Sequence, residues 1–164
     1  MLHGYADSDL AGSPVDRKST SGYCFSLGST MIFWSSRKQG SITQSTVEAE
    51  YIAASNANRE AVWLRKLTSG LFGEKLETTI ILCDNQSFIK LTENSVFHDR
   101  SKHIDLKYHY IRDMVQQNVI KLKYIATNDQ VADILTKPLQ LAKFAHFRDK
   151  LGVVENASLA EREC

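Results

Sequence analysis

Alternating apolar and polar residues predict three antiparallel strands at the start of the chain. A short half-apolar run over 3–7 ends at Asp7, and small, turn-forming residues follow at once. Residues 20–27 alternate in this way, residues 30–35 read as the next strand through a run of apolar residues, and the Gly-Ser pair between them is a tight-turn signal. The pattern therefore predicts a β-meander whose first strand ends in a carboxylate.

A long helix is predicted next, from Ser45 to about Leu67. Ser45 and Glu48 fit the Ser-x-x-Glu capping box, in which each side chain accepts a hydrogen bond from the other residue's backbone N–H. Behind this start, one side of the helix carries a stripe at helical spacing: Glu50, Ala53, Ala54, Ala57, Ala61 and Leu64. The small residues favour close packing on a sheet, with Glu50 at the head of the stripe.

The second half of the chain mixes strand and helix patterns. Residues 78–83 are almost continuously apolar, which is typical of a strand covered on both faces, and the run ends at Asp84. The later elements are a short helix over 85–91, a polar, basic connection over 94–103, a helix over 104–117, a strand over 119–125, and helices over 131–136 and 141–151. This order predicts an α/β fold: a five-stranded mixed sheet flanked by helices, with right-handed crossovers.

Length and composition fit one globular domain over 1–154 with a flexible tail over 155–164. The chain has 164 residues, of which 43% are hydrophobic. It contains no apolar run near the roughly 20 residues that span a bilayer and no signal-peptide pattern, so we expect an intracellular protein without membrane contact. Three scattered cysteines without a CxxC pair argue against a disulfide scaffold or structural zinc. The formal net charge of +1 leaves nucleic-acid binding to local patches.

Four acids are candidates for one metal site. If the first and fourth strands are parallel neighbours, Asp7 and Asp84 lie side by side where open sheets place their ligand crevice. Glu50 can point to the same crevice, and Asp133 can reach it from the rim. Carboxylates without Cys or His ligands indicate Mg²⁺ or Mn²⁺, and two such ions roughly 3.5–4 Å apart cleave phosphodiesters in other enzymes. The alternative is that each acid is a turn or cap residue, and spacing alone favours that alternative.

Six stretches carry a resemblance to a known family. These stretches lie at 4–12, 18–23, 45–53, 83–87, 101–105 and 131–137. As an ordered set running from residue 4 to about 151, they are very specific. On these residues the chain resembles the ribonuclease H domain at the C-terminal end of the Pol polyprotein of copia-type LTR retrotransposons, and plant elements most of all.

This resemblance implies a ribonuclease H that cuts the RNA strand of RNA–DNA hybrids during reverse transcription, using two Mg²⁺ ions or Mn²⁺ as a substitute. The family's four metal-binding acids map onto Asp7, Glu50, Asp84 and Asp133, while Glu48 is left to the capping box. In this interpretation Asp7 bridges both ions, Glu50 and Asp84 hold one, and Asp133 holds the other. The implied partner is the reverse transcriptase region of the same polyprotein, and the implied location is cytoplasmic, in a virus-like particle.

Substrate contacts are also predicted. Gln86 occupies the position of a residue that touches the hybrid's minor groove in cellular relatives, and we expect Asn85 to help. Arg37 and Lys38, in the predicted loop before the helix, are candidates for phosphate contacts. A second basic group is either a phosphate-binding surface or a solvated helical face: Arg100, Lys102, Lys107, Arg112, Lys121 and Lys123. Trp34 and Trp63 are expected in the core rather than as stacking platforms.

The loop before the fourth acid departs from the family pattern. Many ribonucleases H carry a mobile His there, whereas residues 124–131 contain none. The missing His predicts slower turnover or the use of another group. The alternative function is a catalytically decayed or domesticated domain that binds hybrids or proteins without catalysis, and the four intact acids argue against it. Another nuclease of the same fold, such as an integrase or exonuclease, is a further alternative, but the Glu at the head of the first helix favours a ribonuclease H.

Overall fold

Five strands form one mixed sheet in the order β3-β2-β1-β4-β5. The computed structural model describes residues 1–73, 75–93 and 102–153, without the side chains of 102–108. The β1–β2 and β2–β3 pairs are antiparallel, while β1–β4 and β4–β5 are parallel, which confirms the predicted five-stranded α/β sheet. The strands are β1 Leu2–Asp9, β2 Thr20–Leu27, β3 Thr30–Lys38, β4 Thr79–Cys83 and β5 Ile120–Tyr124.

Helices lie on both faces of this sheet. Within the described residues they are α1 Thr46–Phe72, α2 Gln86–Glu93, α3 Lys102–Gln116 and α4 Leu141–Lys150, with 3₁₀ turns at Thr127–Asp129 and Val131–Leu135. Consecutive residues of a strand point to opposite faces, so Phe25 packs with α1 while Cys24 packs with Val131 and Phe147. No helix in the described part of the chain is long and apolar enough to cross a membrane.

The start of α1 is capped largely as predicted. The Glu48 N–H donates to Ser45 Oγ at 3.2 Å, but the Glu48 carboxylate accepts from the Gln44 N–H at 2.7 Å. Only one of the two capping-box hydrogen bonds therefore forms, because the Glu48 carboxylate accepts from Gln44 instead of Ser45. Every member of the predicted stripe is buried: Glu50, Ala53, Ala54, Ala57, Ala61 and Leu64.

The end of α1 lies later than predicted, at Phe72 rather than near Leu67. Thr68 is buried, and its hydroxyl donates a hydrogen bond to the Leu64 carbonyl. Packing at Thr68 therefore extends the helix past Gly70. Gly73 then ends the helix with a left-handed φ of 69°, and its N–H donates to the Ser69 carbonyl. Gly73 can adopt this conformation because it has no Cβ.

Three further predictions need correction. Residues 131–136 form a 3₁₀ turn over Val131–Leu135 instead of a helix, since Pro138 leaves too few residues for one. Strand β3 runs to Lys38, so Arg37 and Lys38 lie on the strand and not in a loop. On β4, Ile80 is only half-buried, and burial alternates along the strand rather than covering both faces.

The predicted burial of both tryptophans is wrong. The exposed fraction is 55% for Trp34 and 52% for Trp63. Trp34 lies on β3, the edge strand, and Trp63 lies on α1 outside the buried stripe. Residues 94–101 of the predicted connection and the whole predicted tail over 155–164 lie outside the described residues.

Candidate metal centre

Parallel strands β1 and β4 bring Asp7 and Asp84 to the same edge of the sheet. The register pairs Tyr5 with Leu82, and each acid follows its partner residue by two positions. Asp7 is buried and Asp84 is half-buried. The predicted strand end at Asp7 is wrong, because pairing with β2 continues β1 to Asp9. Asp7 lies two residues before the end of β1 and Asp84 directly follows β4, so the two acids still share one edge of the sheet.

Asp133 reaches this edge because the Val131–Leu135 turn lies against β2. Gly22 of β2 is paired with Asp7, and a Cβ on Gly22 would lie 2.6 Å from Thr136 Cγ2 and 2.8 Å from Leu135 Cβ. Only a residue without a side chain allows so close an approach. Gly22 therefore makes room for the segment that delivers the fourth acid.

The carboxylates of three aspartates converge. One oxygen from each of Asp7, Asp84 and Asp133 lies within 4.8 Å of the others. Three carboxylate oxygens at this spacing fit a hard divalent cation such as Mg²⁺ or Mn²⁺ better than a softer metal. The structure thus brings together three of the four predicted ligands.

Glu50 lies beside this group rather than in it. It lines the same cleft as Asp7 and Asp84. Its Oε1 accepts hydrogen bonds from the Ser8 N–H at 3.2 Å and the Ser8 hydroxyl at 2.9 Å. Among the described residues, its buried Oε2 has no hydrogen-bond partner. A buried, unpartnered carboxylate oxygen on a residue that shares a cleft with other acids is an open position for a cation ligand.

Burial makes two of these acids unusually weak. It raises the pKa of Glu50 to about 8, and the nearby Asp7 charge adds to the effect. Burial likewise raises the pKa of Asp7 to about 7, although the Thr136 hydrogen bond and the Lys137 charge oppose it. Because Asp7 and Glu50 are buried and lie near other acids, their ionised forms need positive charge nearby to be stable.

Two lysines supply positive charge at the Asp133 end. The Lys137 ammonium lies 2.9 Å from Asp133 Oδ1 and 3.7 Å from Asp7 Oδ2. The Lys143 ammonium lies 2.7 Å from Asp133 Oδ2 and also donates to the Thr127 carbonyl at 3.2 Å. Asp133 is fully buried, and each of its two carboxylate oxygens forms an ion pair with one of these lysines.

Gln130 and Thr136 hold the acid-bearing turn, and the sequence analysis missed both. The buried Gln130 amide donates to the Ala6 carbonyl at 3.0 Å and accepts from the Ala132 N–H at 3.3 Å, which ties the turn to β1. The Thr136 hydroxyl donates to Asp7 Oδ2 at 2.5 Å. The only sequence signal for these two roles is that Gln130 and Thr136 are polar residues on either side of Asp133, and this signal is weak.

The predicted substrate-binding residues divide into two pairs. Asn85 and Gln86 line the acidic cleft, whose volume is about 400 Å³. Asn85 also caps α2, because its Oδ1 accepts from the Phe88 N–H at 2.9 Å. Arg37 and Lys38 are exposed and do not line this cleft, and the Lys38 ammonium is engaged 3.3 Å from an Asp16 carboxylate oxygen.

Tyr124, at the end of β5, lines the cleft and was also missed. It is half exposed and begins the loop in which the family pattern places a His. His103, which lies in the matched stretch 101–105, is the histidine most expected to have a functional role, but its side chain lies outside the described residues. An aromatic hydroxyl is therefore the side chain that this strand end presents to the cleft.

Comparison with known proteins gives relatives along nearly the whole chain. No family model matches. The retrovirus-related Pol polyprotein from transposon TNT 1-94 of Nicotiana tabacum is 41% identical over 156 residues, which is 95% of this chain and 12% of that protein. This chain thus spans about one eighth of the length of that relative.

Solved structures share the fold at low sequence identity. LC11-RNase H1, crystallised with an RNA/DNA hybrid, has a TM-score of 0.60 at 19% identity and covers 83% of this chain and 94% of its own. The foamy viral protease-reverse transcriptase, also solved with an RNA/DNA hybrid, has a TM-score of 0.61 at 17% identity over 82% of this chain and 19% of its own. At these identities the likeness concerns the fold alone.

Proposed function

We propose a function from the premise that this chain is homologous to one segment of plant copia-type Pol polyproteins and has the ribonuclease H fold. It is a metal-dependent endoribonuclease that hydrolyses the RNA strand of RNA–DNA hybrids during reverse transcription. Its partner is the reverse transcriptase region of the same polyprotein. Its location in a cytoplasmic virus-like particle stays a prediction.

The acidic cleft carries this proposal. Three aspartate oxygens lie within 4.8 Å of one another, and Glu50, whose buried Oε2 has no hydrogen-bond partner among the described residues, lines the same cleft. Buried carboxylates of this kind are destabilising unless a cation binds them, and a structural cluster would place a hydrogen-bond donor on each oxygen. An open oxygen beside converging acids therefore supports metal binding over a merely structural role.

The chain's own residues have separate tasks in this function. Asp7, Glu50, Asp84 and Asp133 would hold one or two Mg²⁺ ions. When bound, the ions would supply an activated water and stabilise the leaving oxygen. Ser8 fixes one Glu50 oxygen through two hydrogen bonds and so restrains the carboxylate. Thr136 fixes Asp7.

Recognition of the hybrid is assigned to the rim of the cleft. Gln86, which is exposed at the start of α2, and Asn85 beside it would contact the nucleic acid near the scissile phosphate. Arg37 and Lys38 lie away from the cleft, so their contacts would be with phosphates further along the duplex. Recognition of this kind reads helix shape and 2′-hydroxyls more than base sequence.

A cleavage assay with one matched substitution tests this function. Purified protein is given an RNA–DNA hybrid, double-stranded RNA, single-stranded RNA and duplex DNA, with Mg²⁺ or with EDTA. We expect cleavage of the hybrid's RNA strand alone, only with Mg²⁺, and a loss of more than about 100-fold in Asp84→Asn, because even residues that support metal ligands contribute about 10–100-fold.

The matched control for this assay is Asp113→Asn, because it changes an exposed acid of α3 in the same way and should leave cleavage intact. Undiminished hybrid cleavage by Asp84→Asn would refute the assigned role of the acids. Hybrid binding without cleavage by the unmodified chain would instead support the decayed, non-catalytic alternative.

A further inference from the structure

The Lys137 ammonium lies in the gap between two acids of the cleft. It is 2.9 Å from Asp133 Oδ1 and 3.7 Å from Asp7 Oδ2. The Lys137 side chain is 33% exposed and lines the cleft, whereas both carboxylates are buried. The lysine therefore reaches inward from the open side and places one positive charge between two negative ones.

We propose that Lys137 is a positioning residue that acts as a resident cation, occupying the gap between Asp7 and Asp133 until a divalent ion replaces it. The inference rests on the proposed metal-dependent function. Binding of an ion in that gap and binding of the Lys137 ammonium exclude each other, because both use the same carboxylate oxygens. Lys137 thus weakens the affinity of this part of the cleft for divalent ions.

The electrostatics of the gap explain why a resident cation is useful. Uncompensated buried carboxylates destabilise a fold, so the metal-free protein needs a counter-charge there. Burial lowers the pKa of Lys137, but the hydrogen bond to Asp133 and the Asp7 charge outweigh it and raise the pKa, so the ammonium stays charged. A single charge on a flexible stem yields to a doubly charged ion more readily than a rigid guanidinium would.

The backbone around Lys137 allows the exchange. The Lys137 N–H donates to the Asp133 carbonyl at 3.2 Å, which fixes the main chain of the turn, and Pro138 follows. Only the four-carbon side chain has to rotate into the cleft for the gap to open. The acids therefore keep their positions when the cation changes.

Lys143 provides a matched comparison on the same acid. Its ammonium lies 2.7 Å from Asp133 Oδ2, donates to the Thr127 carbonyl and stands 5.2 Å from the centre of the Phe147 ring. Within the described residues its ion pair is with Asp133 alone. It neutralises Asp133 from the far side and leaves the gap towards Asp7 unobstructed.

Calorimetric titration with Mn²⁺ distinguishes replacement of a resident cation from a general charge effect. The full chain is compared with Lys137→Met and Lys143→Met at pH 7.5 and low ionic strength. We expect Lys137→Met to bind Mn²⁺ at least about 10-fold more tightly than wild type, and Lys143→Met to gain less than half as much in log Kd. Equal gains in the two variants, or no gain in Lys137→Met, would overturn the inference.

Two further results keep this test decisive. If neither the wild type nor either variant binds Mn²⁺, the proposed metal-dependent function fails as well, and the inference falls with it. If Lys137→Met does not fold, the side-chain ¹⁵N signal of Lys137 in wild-type protein is followed by NMR during Mg²⁺ addition. A shift to the position of a solvated lysine supports the exchange, and an unchanged signal at saturating Mg²⁺ overturns it.

Discussion

The two ends of the acid cluster are neutralised in different ways. At the Glu50 end, uncharged Ser8 donors hold one oxygen and the other oxygen is unpartnered, so burial raises the pKa of Glu50 to about 8. At the Asp133 end, two lysine ammoniums contact the carboxylate at 2.9 and 2.7 Å. One end of the cluster is therefore open to a cation, whereas the other already holds positive charge.

Activity should depend on both ends to a similar, large extent. We expect Glu50→Gln and Asp133→Asn each to lower hybrid cleavage by more than about 100-fold, since both are assigned as metal ligands. Initial rates over a range of Mg²⁺ concentrations measure the effect. If Glu50→Gln kept more than about half of the wild-type rate, the open oxygen would have no part in catalysis.

Stability should separate the two ends, because the same two variants should shift it in opposite directions. Asp133→Asn leaves both lysines without their carboxylate, so we expect a loss of about 2 kcal/mol in the free energy of unfolding, or about 4–8 °C in Tm. Glu50→Gln removes an acid that is unfavourable when ionised, so its Tm in EDTA at pH 8 should rise. Thermal unfolding in EDTA measures the Tm of both variants. A fall in Tm for both would contradict the different neutralisation of the two ends.

The pH dependence of stability should follow from the raised pKa values of Asp7 and Glu50. In the folded protein these acids hold their protons up to about pH 7 and 8, whereas the unfolded chain releases them near pH 4. The folded state therefore binds more protons between these limits, and stability decreases as the pH rises. In EDTA we expect Tm to fall by roughly 5–10 °C from pH 5 to pH 8.

Saturating Mg²⁺ should offset most of this fall, since the ion binds the ionised carboxylates. The double variant Asp7→Asn with Glu50→Gln should flatten the profile in EDTA. A wild-type Tm that rises between pH 5 and pH 8 without metal would contradict the raised pKa values. The sign of the change in Tm with pH therefore shows whether the pKa values of Asp7 and Glu50 are raised in the folded protein.

Gln130 should give the smallest of these effects. Gln130→Leu keeps the volume but removes the hydrogen bond to the Ala6 carbonyl, so we expect a loss of about 1–2 kcal/mol in the free energy of unfolding. Cleavage should fall about 10-fold, because the turn that carries Asp133 loses its tie to β1. Gln116→Leu, on an exposed position of α3, is the matched control and should change stability by less than about 0.5 kcal/mol.

The sequence was enough to predict the sheet and the shared edge of Asp7 and Asp84. Period-two alternation and short apolar runs mark the strands, and the placement of the two acids follows once β1 and β4 are parallel neighbours. The helical stripe likewise places Glu50 on the buried side of α1. These features depend on backbone periodicity, which the order of residue types records directly.

Other features depend on side-chain direction in irregular segments, which periodicity does not encode. Lys137 and Gln130 flank a 3₁₀ turn, and nothing in their spacing shows that they point at Asp7 or β1. Trp34 was misplaced for a related reason. Its strand pattern is that of a buried strand, and only the sheet order shows that β3 is an edge.

Anomalous diffraction from crystals soaked in Mn²⁺ is the most direct test of the claim that this cleft binds catalytic divalent ions. We expect a manganese peak contacted by Asp7, Asp84 and the Glu50 Oε2 that is unpartnered in the metal-free fold. At higher Mn²⁺ a second peak between Asp7 and Asp133 should coincide with displacement of Lys137. A saturating soak that leaves the cleft without any manganese peak would contradict the metal-binding role of all four acids.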